Sequence, residues 1–205
     1  MKKTKLIEHL FPFLVAWSTN RRIKEQTKEK KWDTLFNYWK KIINAKETHS
    51  FEKAVDDLYR SEIQRKEAIE SKAASLFEAI GFAVSLVSIA IVFTEKSPLL
   101  ILSMLPLANF ILAGICSWHA TKIGEFFLPT IEGLKENLEL IDKKQEKESE
   151  IHWMTEKLVG SEMNCPFILM KSNWLAAAYQ HFLLGILLIV IFFAIIIFEP
   201  YFMHI

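Results

Sequence analysis

The sequence predicts an all-α integral membrane protein with three transmembrane helices and a stalk-like cytoplasmic helical domain. Of its 205 residues, 51% are apolar, and many of them are concentrated in three runs. The runs are residues 76–93, 99–118 and 182–198, in which Glu78 is the only charged residue. A bilayer core about 30 Å thick is crossed by roughly 17 to 25 apolar helical residues, so each run is long enough. A helix buried in a soluble protein rarely stays apolar on every face for this length.

The positions of Lys and Arg predict the orientation. Residues 1–74 hold 17 of the 25 basic residues, residues 119–181 hold 7, and the loop 94–98 holds only Lys96. Basic loops are retained on the cytoplasmic side. We therefore expect a multi-pass protein of the inner-membrane type, with its amino terminus in the cytoplasm and the tail after Phe198 outside.

These expectations divide the chain into four segments. They are a cytoplasmic helical region (1–74), a transmembrane hairpin (75–118), a second cytoplasmic helical region (119–175), and the third span with a short outside tail (176–205). Residues 1–74 carry 17 bases against 11 acids, whereas residues 119–181 carry 7 against 10. The two cytoplasmic parts can therefore attract each other, and the basic part also suits anionic lipid headgroups.

The start of the chain has two interpretations. The basic sequence MKKTK precedes an apolar stretch from Leu10 to Trp17, as in a signal peptide. Pro12 interrupts this short stretch, however, and no A-x-A-like cleavage site follows it. We favour a short helix at the membrane surface. Whether residues 6–18 insert into the bilayer stays open.

A second amphipathic helix is predicted before residue 46. Its apolar positions recur at helical spacing and are Trp32, Leu35, Phe36, Trp39, Ile42 and Ile43. This face can pack within the cytoplasmic domain or dock at the lipid interface, where Trp and Lys are favoured. A long helix is then predicted from Phe51 to about Phe93, with Ser50 as its N-cap and Glu62 paired with Lys66. Pro98 opens the second span, so the first two spans form a tight antiparallel hairpin.

A heptad-like seam follows the second span. Its apolar positions are Phe127, Ile131, Leu134, Leu138 and Ile141, and then Ile151, Met154 and Leu158. We expect this seam to pack on the helix that carries Phe51, Val55 and Leu58 and to form the stalk. Pro129 is expected to kink or restart the seam helix, and the sequence GSEMNCP (160–166) predicts a break.

The sequence carries no enzyme signature that we recognise, such as a phosphate loop, a nucleophile elbow or a zinc motif. We therefore expect no enzymatic activity, no cofactor and no metal. Glu148 and His152 are four residues apart on a predicted helix, which is compatible with metal binding, but a solvated ion pair is the better interpretation. Cys116 and Cys165 indicate neither a disulfide framework nor a zinc site.

Small and polar residues inside the spans are the candidate functional residues. They are Glu78, Gly81, Ser85, Ser88 and Asn109, as helix-packing or pore candidates. The Gly81 face serves either packing among the three spans or an oligomeric contact, and Asn109 is expected to hydrogen-bond another helix. The third span carries no polar face and is expected to be a lipid-facing anchor. Its interface anchors are Trp174 and Tyr179 at one end and Tyr201 at the other.

The sequence LYRSEIQRKEAIESKAASLFEAIGFA (58–83) resembles small membrane effectors of bacterial anti-phage systems. These are the SLATT-like, Pycsar-type and retron-associated transmembrane effectors. Residues 172–198 are similar to the last span of the Pycsar-type group. The resemblance rests on the topology and on a loose motif, and covers about two thirds of the chain.

The resemblance implies an effector of abortive infection that oligomerises in the inner membrane and disrupts it or forms a pore. A separate sensor protein in the cytoplasm, encoded nearby, would trigger or restrain it. The expected partners are therefore the lipid bilayer, further copies of the chain and that sensor, and no direct nucleic-acid binding is indicated. The alternative is a non-enzymatic, membrane-anchored scaffold or sensor subunit of a larger complex.

Overall fold

A computed structural model describes residues 11–28, 30–44, 49–92, 97–122, 126–127, 131–142 and 145–202. Across these ranges the chain forms six helices. They are α1 (Pro12–Thr27), α2 (Trp32–Asn44), α3 (His49–Val92), α4 (Ser97–Thr121), α5 (Ile131–Asp142) and α6 (Glu146–Phe202). No strand occurs among the described residues, which confirms the predicted all-α class.

Three of these helices, α3, α4 and α6, are long and apolar enough to cross a membrane by their length and composition. Their apolar stretches contain the three runs expected from the sequence, apart from the residues outside the described ranges. In a bilayer every backbone polar group must be bonded within the segment, and a helix meets that requirement. The three helices indicate a multi-pass membrane protein.

The chain divides into two compact units. The first, here called the span unit, comprises Met1–Asn20, Ile69–Lys122 and Lys171–Ile205. The second, called the polar unit, comprises Arg21–Ala68 and Ile123–Met170. Helices α1, α3 and α6 contribute residues to both units.

In the span unit, α3 and α4 form the predicted antiparallel hairpin. The Ser117 hydroxyl donates a hydrogen bond of 2.5 Å to the carbonyl oxygen of Ala73, and both residues are fully buried. One turn along each helix, Gly114 faces the ring of Phe77, with a Cβ built at Gly114 lying 3.8 Å from that ring. Position 73 of α3 thus pairs with 117 of α4, and position 77 pairs with 114. The numbers rise along α3 and fall along α4, so the two helices are antiparallel.

One side of α3 forms a regular buried seam in the span unit. Its members are all buried, with at most 8% of each residue exposed, and are Ile69, Ala73, Leu76, Ile80, Ala83 and Val87. They are separated by four, three, four, three and four residues, which is the spacing of a coiled-coil seam. The sequence prediction did not identify this seam, because other residues of the span, such as Phe77, Phe82 and Leu86, are also apolar.

Helix α1 packs along α6 within the span unit. Phe13 lies against Trp174 with ring centroids 5.5 Å apart, and the amide of Asn173 donates a 2.8 Å hydrogen bond to Oδ1 of Asn20. The backbone N–H of Phe13 also bonds His181, eight residues after Asn173, so α1 is antiparallel to α6. The predicted surface helix is therefore docked on another helix from Pro12 to Asn20, and residues 6–10 lie outside the described residues.

A hydrophobic cluster holds the polar unit together. Its buried members are Ile43, Val55, Ile151, Met154 and Leu158, with Trp39 and Phe51 packed against them. The second half of the predicted seam thus packs on the helix that carries Phe51 and Val55, as expected. Burial of one such side chain stabilises a fold by about 1.5–3 kcal/mol.

The first half of that predicted seam is wrong at Leu138 and Ile141. Leu138 and Ile141 are 53% and 49% exposed, and Leu58 is 44% exposed. Helix α5 approaches α6 instead through Gly133, where a Cβ would come within 1.9 Å of the Glu156 carboxylate. A glycine contact without a side chain leaves no signal in a hydrophobic pattern.

The predicted break at residues 160–166 is also wrong, because α6 is continuous from Glu146 to Phe202. A proline inside a helix costs about 3 kcal/mol. Around Pro166 the helix is held by contacts that offset this cost, since nearly every residue from 151 to 161 is buried. Asn164 is also fully buried and is hydrogen-bonded to the backbone of Phe127.

Helix α2 packs inside the polar unit, which decides between the two interpretations of its aromatic face. Trp32 contacts Phe127 with ring centroids 6.2 Å apart, and Phe36 meets the edge of His152 at 5.2 Å. Ile43 is buried in the cluster described above. These side chains are therefore occupied by contacts within the unit.

Candidate functional site

The Gly81 face of α3 is open. Gly81, Ser85 and Ser88 are all exposed, and no described side chain comes within 4 Å of a Cβ built at Gly81. The hydroxyls of Ser85 and Ser88 donate to carbonyl oxygens of their own helix, at Gly81 and Val84, over 2.9 Å each. The alternative that this face packs among the three spans does not hold in the described structure.

The open face has the same spacing as the buried seam of α3. Ala74, Glu78, Gly81, Ser85 and Ser88 are exposed and are separated by four, three, four and three residues. With 100° between successive residues, this row lies roughly 140° around the helix from the buried one. Helix α3 therefore carries one seam filled by its own chain and a second seam of small and polar residues that faces outward.

Glu78 borders a cavity of about 290 Å³ between α3 and α4. The lining residues are Ala74, Phe77, Glu78, Ser117, Trp118 and Thr121. Trp118 is 54% exposed, and the ammonium of Lys122 lies 5.3 Å from the centre of its ring. The candidate carboxylate is thus at the Trp118 end of the hairpin and not inside the packed helices.

Asn109 bonds another helix, as its position in the second span predicted. Its Oδ1 lies 3.1 Å from Nδ1 of His181 on α6, and its amide nitrogen donates to the carbonyl oxygen of Leu105. The Nε2 atom of His181 accepts a 3.3 Å hydrogen bond from the backbone N–H of Phe13. His181 is 3% exposed and joins α1, α4 and α6.

These two contacts assign the tautomer of His181. The backbone N–H of Phe13 can only donate, so Nε2 carries the lone pair and the ring proton is on Nδ1, facing Asn109. Helix α1 begins at Pro12, and the free N–H groups at a helix start need partners outside the helix. The Nε2 atom of His181 is the partner of one of these N–H groups, that of Phe13. Sequence reasoning missed this residue because it precedes the third apolar run by one position.

The third span is more than a lipid-facing anchor. Gly185 is buried, and a Cβ at this position would lie 2.7 Å from the ring of Phe110, which is fully buried on α4. Phe182 also contacts Phe110, with ring centroids 5.8 Å apart. The glycine therefore permits a close approach of α6 to α4. Further along α6, Phe192 is buried and packs against the partly buried Ile196 of the same helix.

The predicted interface anchors lie in different surroundings. Trp174 is half-buried and stacks on His119, with ring centroids 4.8 Å apart and an interplanar angle of 19°. Tyr179 is 40% exposed. The side chain of Tyr201 lies outside the described residues. Trp118 and Trp174 both lie close to the Ser117 level of the unit, where an aromatic layer is typical of a membrane interface.

Glu162 is the centre of a polar contact in the polar unit. Its two oxygens accept hydrogen bonds from the Lys30 ammonium at 2.8 Å and from the Trp39 indole at 2.9 Å. Burial raises the pKa of the Glu162 carboxyl, but the hydrogen bonds from Lys30 and Trp39 and the charge of Lys30 together hold it below its ordinary value of 4.5.

Two further polar contacts hold α6 in this unit. Lys157 forms an ion pair with Asp56 on α3. The side-chain amide of Asn164 accepts a 2.8 Å hydrogen bond from the Phe127 N–H and donates one of 2.8 Å to its carbonyl oxygen. The pairing of Glu62 with Lys66 is not seen. Lys66 lies instead over the ring of Phe126, 4.5 Å from its centre.

The predicted solvated pair of Glu148 and His152 does not form. Glu148 is exposed, whereas His152 is 7% exposed and has a carboxylate oxygen of Glu156 at 3.9 Å from its Nε2 atom. Within the described ranges, no group of three or more His, Cys, Asp or Glu side chains is arranged to hold a metal ion.

Together the fold and these sites describe a multi-pass, all-helical chain with one open small-residue seam and a separately packed polar unit. Comparison of the chain with known protein families, with curated proteins and with solved structures finds no match.

Proposed function

We propose that this protein is a membrane effector that self-associates through the open seam of α3 and permeabilises the bacterial inner membrane. The observation that carries the proposal is the exposure of Gly81, Ser85 and Ser88 on a helix whose other side is packed. Lipid tails are as apolar as Leu, so small residues give no advantage toward lipid. They do allow two helices to approach closely.

A second copy of α3 is the partner that fits this seam. The small side chains of Gly81, Ser85 and Ser88 leave the backbone accessible over about two turns, and Glu78 continues the row toward the Trp118 end. In an assembly of several copies, these polar groups would be brought together in the bilayer, where they attract water. This is a route to loss of membrane integrity without an enzymatic step.

The polar unit is the proposed site of control. A surface cavity of about 320 Å³ is lined by charged residues of α3, namely Glu52, Lys53, Asp56, Asp57 and Arg60. Mixed charges at an exposed surface suit specific recognition of a protein partner. We place this unit in the cytoplasm from the basic residues, with a partner sensor restraining or triggering the effector as in the anti-phage systems that the sequence resembles.

The seam can be tested with one matched pair of variants. Gly81→Leu adds bulk to the open seam, where nothing described lies within 4 Å, so the single chain should still fold. Ala79→Leu adds the same side chain about 200° away on the same helix, also at an exposed position. Wild type and both variants would be expressed by induction, alone and with the neighbouring genes under phage challenge. Membrane potential, dye entry and growth would be measured in each case.

We expect wild type and Ala79→Leu to depolarise the membrane and arrest growth, and Gly81→Leu to lose both effects. Cross-linking in membranes should show oligomers for the first two proteins only. Unchanged membrane potential and dye entry in every condition with wild type would refute the effector function. Equal activity of the two variants would refute the seam.

The alternative function is a membrane-anchored scaffold, which the closely packed polar unit and its charged surface favour. In that case the spans act only as an anchor. Replacing residues 76–118 and the third span with unrelated spans of equal length would then preserve activity, whereas the effector proposal requires activity to be lost.

A further inference from the structure

We propose that the cavity between α3 and α4 binds the headgroup of an ethanolamine phospholipid, with its ammonium on Glu78 and its phosphate on Lys122. The cavity has a volume of about 290 Å³ and lies at the Trp118 end of the hairpin. This inference concerns lipid binding by one chain and does not depend on the proposed permeabilisation.

The polar groups of the cavity are not equally available to a ligand. The Ser117 hydroxyl is used by the Ala73 carbonyl, and the Thr121 hydroxyl donates to the carbonyl oxygen of Trp118. Glu78 is exposed and forms no ion pair with any residue in the described ranges. Its carboxylate is therefore the strongest acceptor that the cavity offers.

Lys122 supplies the opposite charge beside the same cavity. Its ammonium lies over the ring of Trp118, 5.3 Å from the centre, and Trp118 lines the cavity. One acid and one base thus flank a single exposed indole. This arrangement is complementary to a zwitterion and not to a simple anion or cation.

The location of the cavity indicates that the zwitterionic ligand is a lipid headgroup. It lies at the end of α4, where the apolar stretch of α3 also begins, and the aromatic residue Trp118 forms part of its lining. Phe77 and Trp118 are each 54% exposed and present apolar rings at its edge. A carboxylate at the border of the hydrocarbon region is costly unless it is paired, and an ammonium from a headgroup would offset that cost.

The chemistry of Glu78 discriminates between headgroups. An ethanolamine ammonium has N–H groups that can donate charge-assisted hydrogen bonds to a carboxylate. A choline headgroup has the charge but no N–H, and a glycerol headgroup has no cation. The face of Trp118 attracts either cation by a cation–π interaction. Preference for ethanolamine over choline therefore reports the bond to Glu78.

The test is native mass spectrometry of the full-length protein in detergent, titrated separately with phosphatidylethanolamine, phosphatidylcholine and phosphatidylglycerol of identical acyl chains. We expect wild type to bind the ethanolamine lipid about tenfold more tightly than either of the others, the ratio typical of one charge-assisted hydrogen bond. Glu78→Gln should lose this preference, and Lys122→Gln should weaken binding of all three lipids. Glu67→Gln, an exposed carboxylate on the same helix, is the matched control and should bind as wild type does.

Two outcomes would overturn the proposal. One is equal affinity of wild type for the three lipids, and the other is an unchanged ethanolamine preference in Glu78→Gln. A charge-reversal variant distinguishes loss of the binding site from misfolding of the protein. Glu78→Lys should gain affinity for phosphatidylglycerol about tenfold, which damage to the fold cannot produce, and absence of that gain would also count against the site.

Discussion

The Nδ1 atom of His181 lies 3.1 Å from Oδ1 of Asn109, and this contact connects the third span to the second. The other ring nitrogen of His181, Nε2, accepts a hydrogen bond from the backbone N–H of Phe13. Three helices of the span unit therefore meet at one buried side chain. Because lipid offers no hydrogen-bonding partner, separating these groups would leave them unsatisfied.

Replacing Asn109 by Ala should lower the free energy of unfolding by about 0.6–1.7 kcal/mol, which lies between the average and the largest value measured for hydrogen bonds between membrane helices. His181→Ala should cost more, because it also removes the partner of the Phe13 N–H. The double variant should cost less than the sum of the two, since each single change already breaks the shared bond. Unfolding of the full chain in mixed micelles provides the three values.

Ser61→Ala, at an exposed position outside the open seam, is the matched control for this cycle. Its hydroxyl donates only to the carbonyl oxygen of Leu58 on its own helix. We expect its unfolding free energy to match that of wild type and to add independently to the cost of Asn109→Ala. Strict additivity of Asn109→Ala and His181→Ala would show that the two side chains do not interact.

The two glycines of the first and third spans should respond oppositely to the same change. Gly185→Ala places a methyl group 2.7 Å from the buried ring of Phe110, whereas Gly81→Ala meets no described atom within 4 Å. Overpacking of a well-packed site typically costs 1–3 kcal/mol. We expect Gly185→Ala to lower the thermal midpoint in detergent by several degrees. Gly81→Ala should leave it at the wild-type value or above. A lower midpoint for Gly81→Ala than for Gly185→Ala would contradict this assignment of faces.

The sequence was sufficient to predict most of the helical elements but only some of their contacts. Apolar run length placed α3, α4 and the end of α6, and the depth of Asn109 predicted a bond to another helix. The contacts of Gly133 and Gly185 could not be predicted, because each is an approach between elements distant in sequence and glycine has no hydrophobic signal. The break expected around Pro166 failed for a related reason. Local helix-breaking residues were outweighed by burial and by the Asn164 contact, which pattern analysis does not include.

Asn164 is expected to be a strong determinant of the polar unit. Asn164→Leu removes both hydrogen bonds between the Asn164 side chain and the backbone of Phe127. The N–H and carbonyl groups of Phe127 then lack those partners. Such a loss costs about 1–3 kcal/mol for each buried polar group. The expected result is faster proteolysis of the full-length protein under native conditions, with the first cleavage next to Phe127. Cys165→Ser, at the exposed neighbouring position, should be cleaved as slowly as wild type.

The pKa of Glu162 predicts a pH dependence of the polar unit. Because Lys30 and Trp39 hold the pKa below the ordinary 4.5, the folded carboxyl stays ionised in acid that would protonate it in the unfolded chain. Its contribution is therefore fully present above pH 4.5 and is lost as the pH falls through the lower, folded value. Glu162→Gln should lower stability at pH 7 by on the order of 1 kcal/mol, a modest value because the side chain is 31% exposed. Thermal midpoints of the full chain, measured from pH 7 to pH 3.5 in non-ionic detergent, should decline less steeply below pH 4.5 for this variant than for wild type.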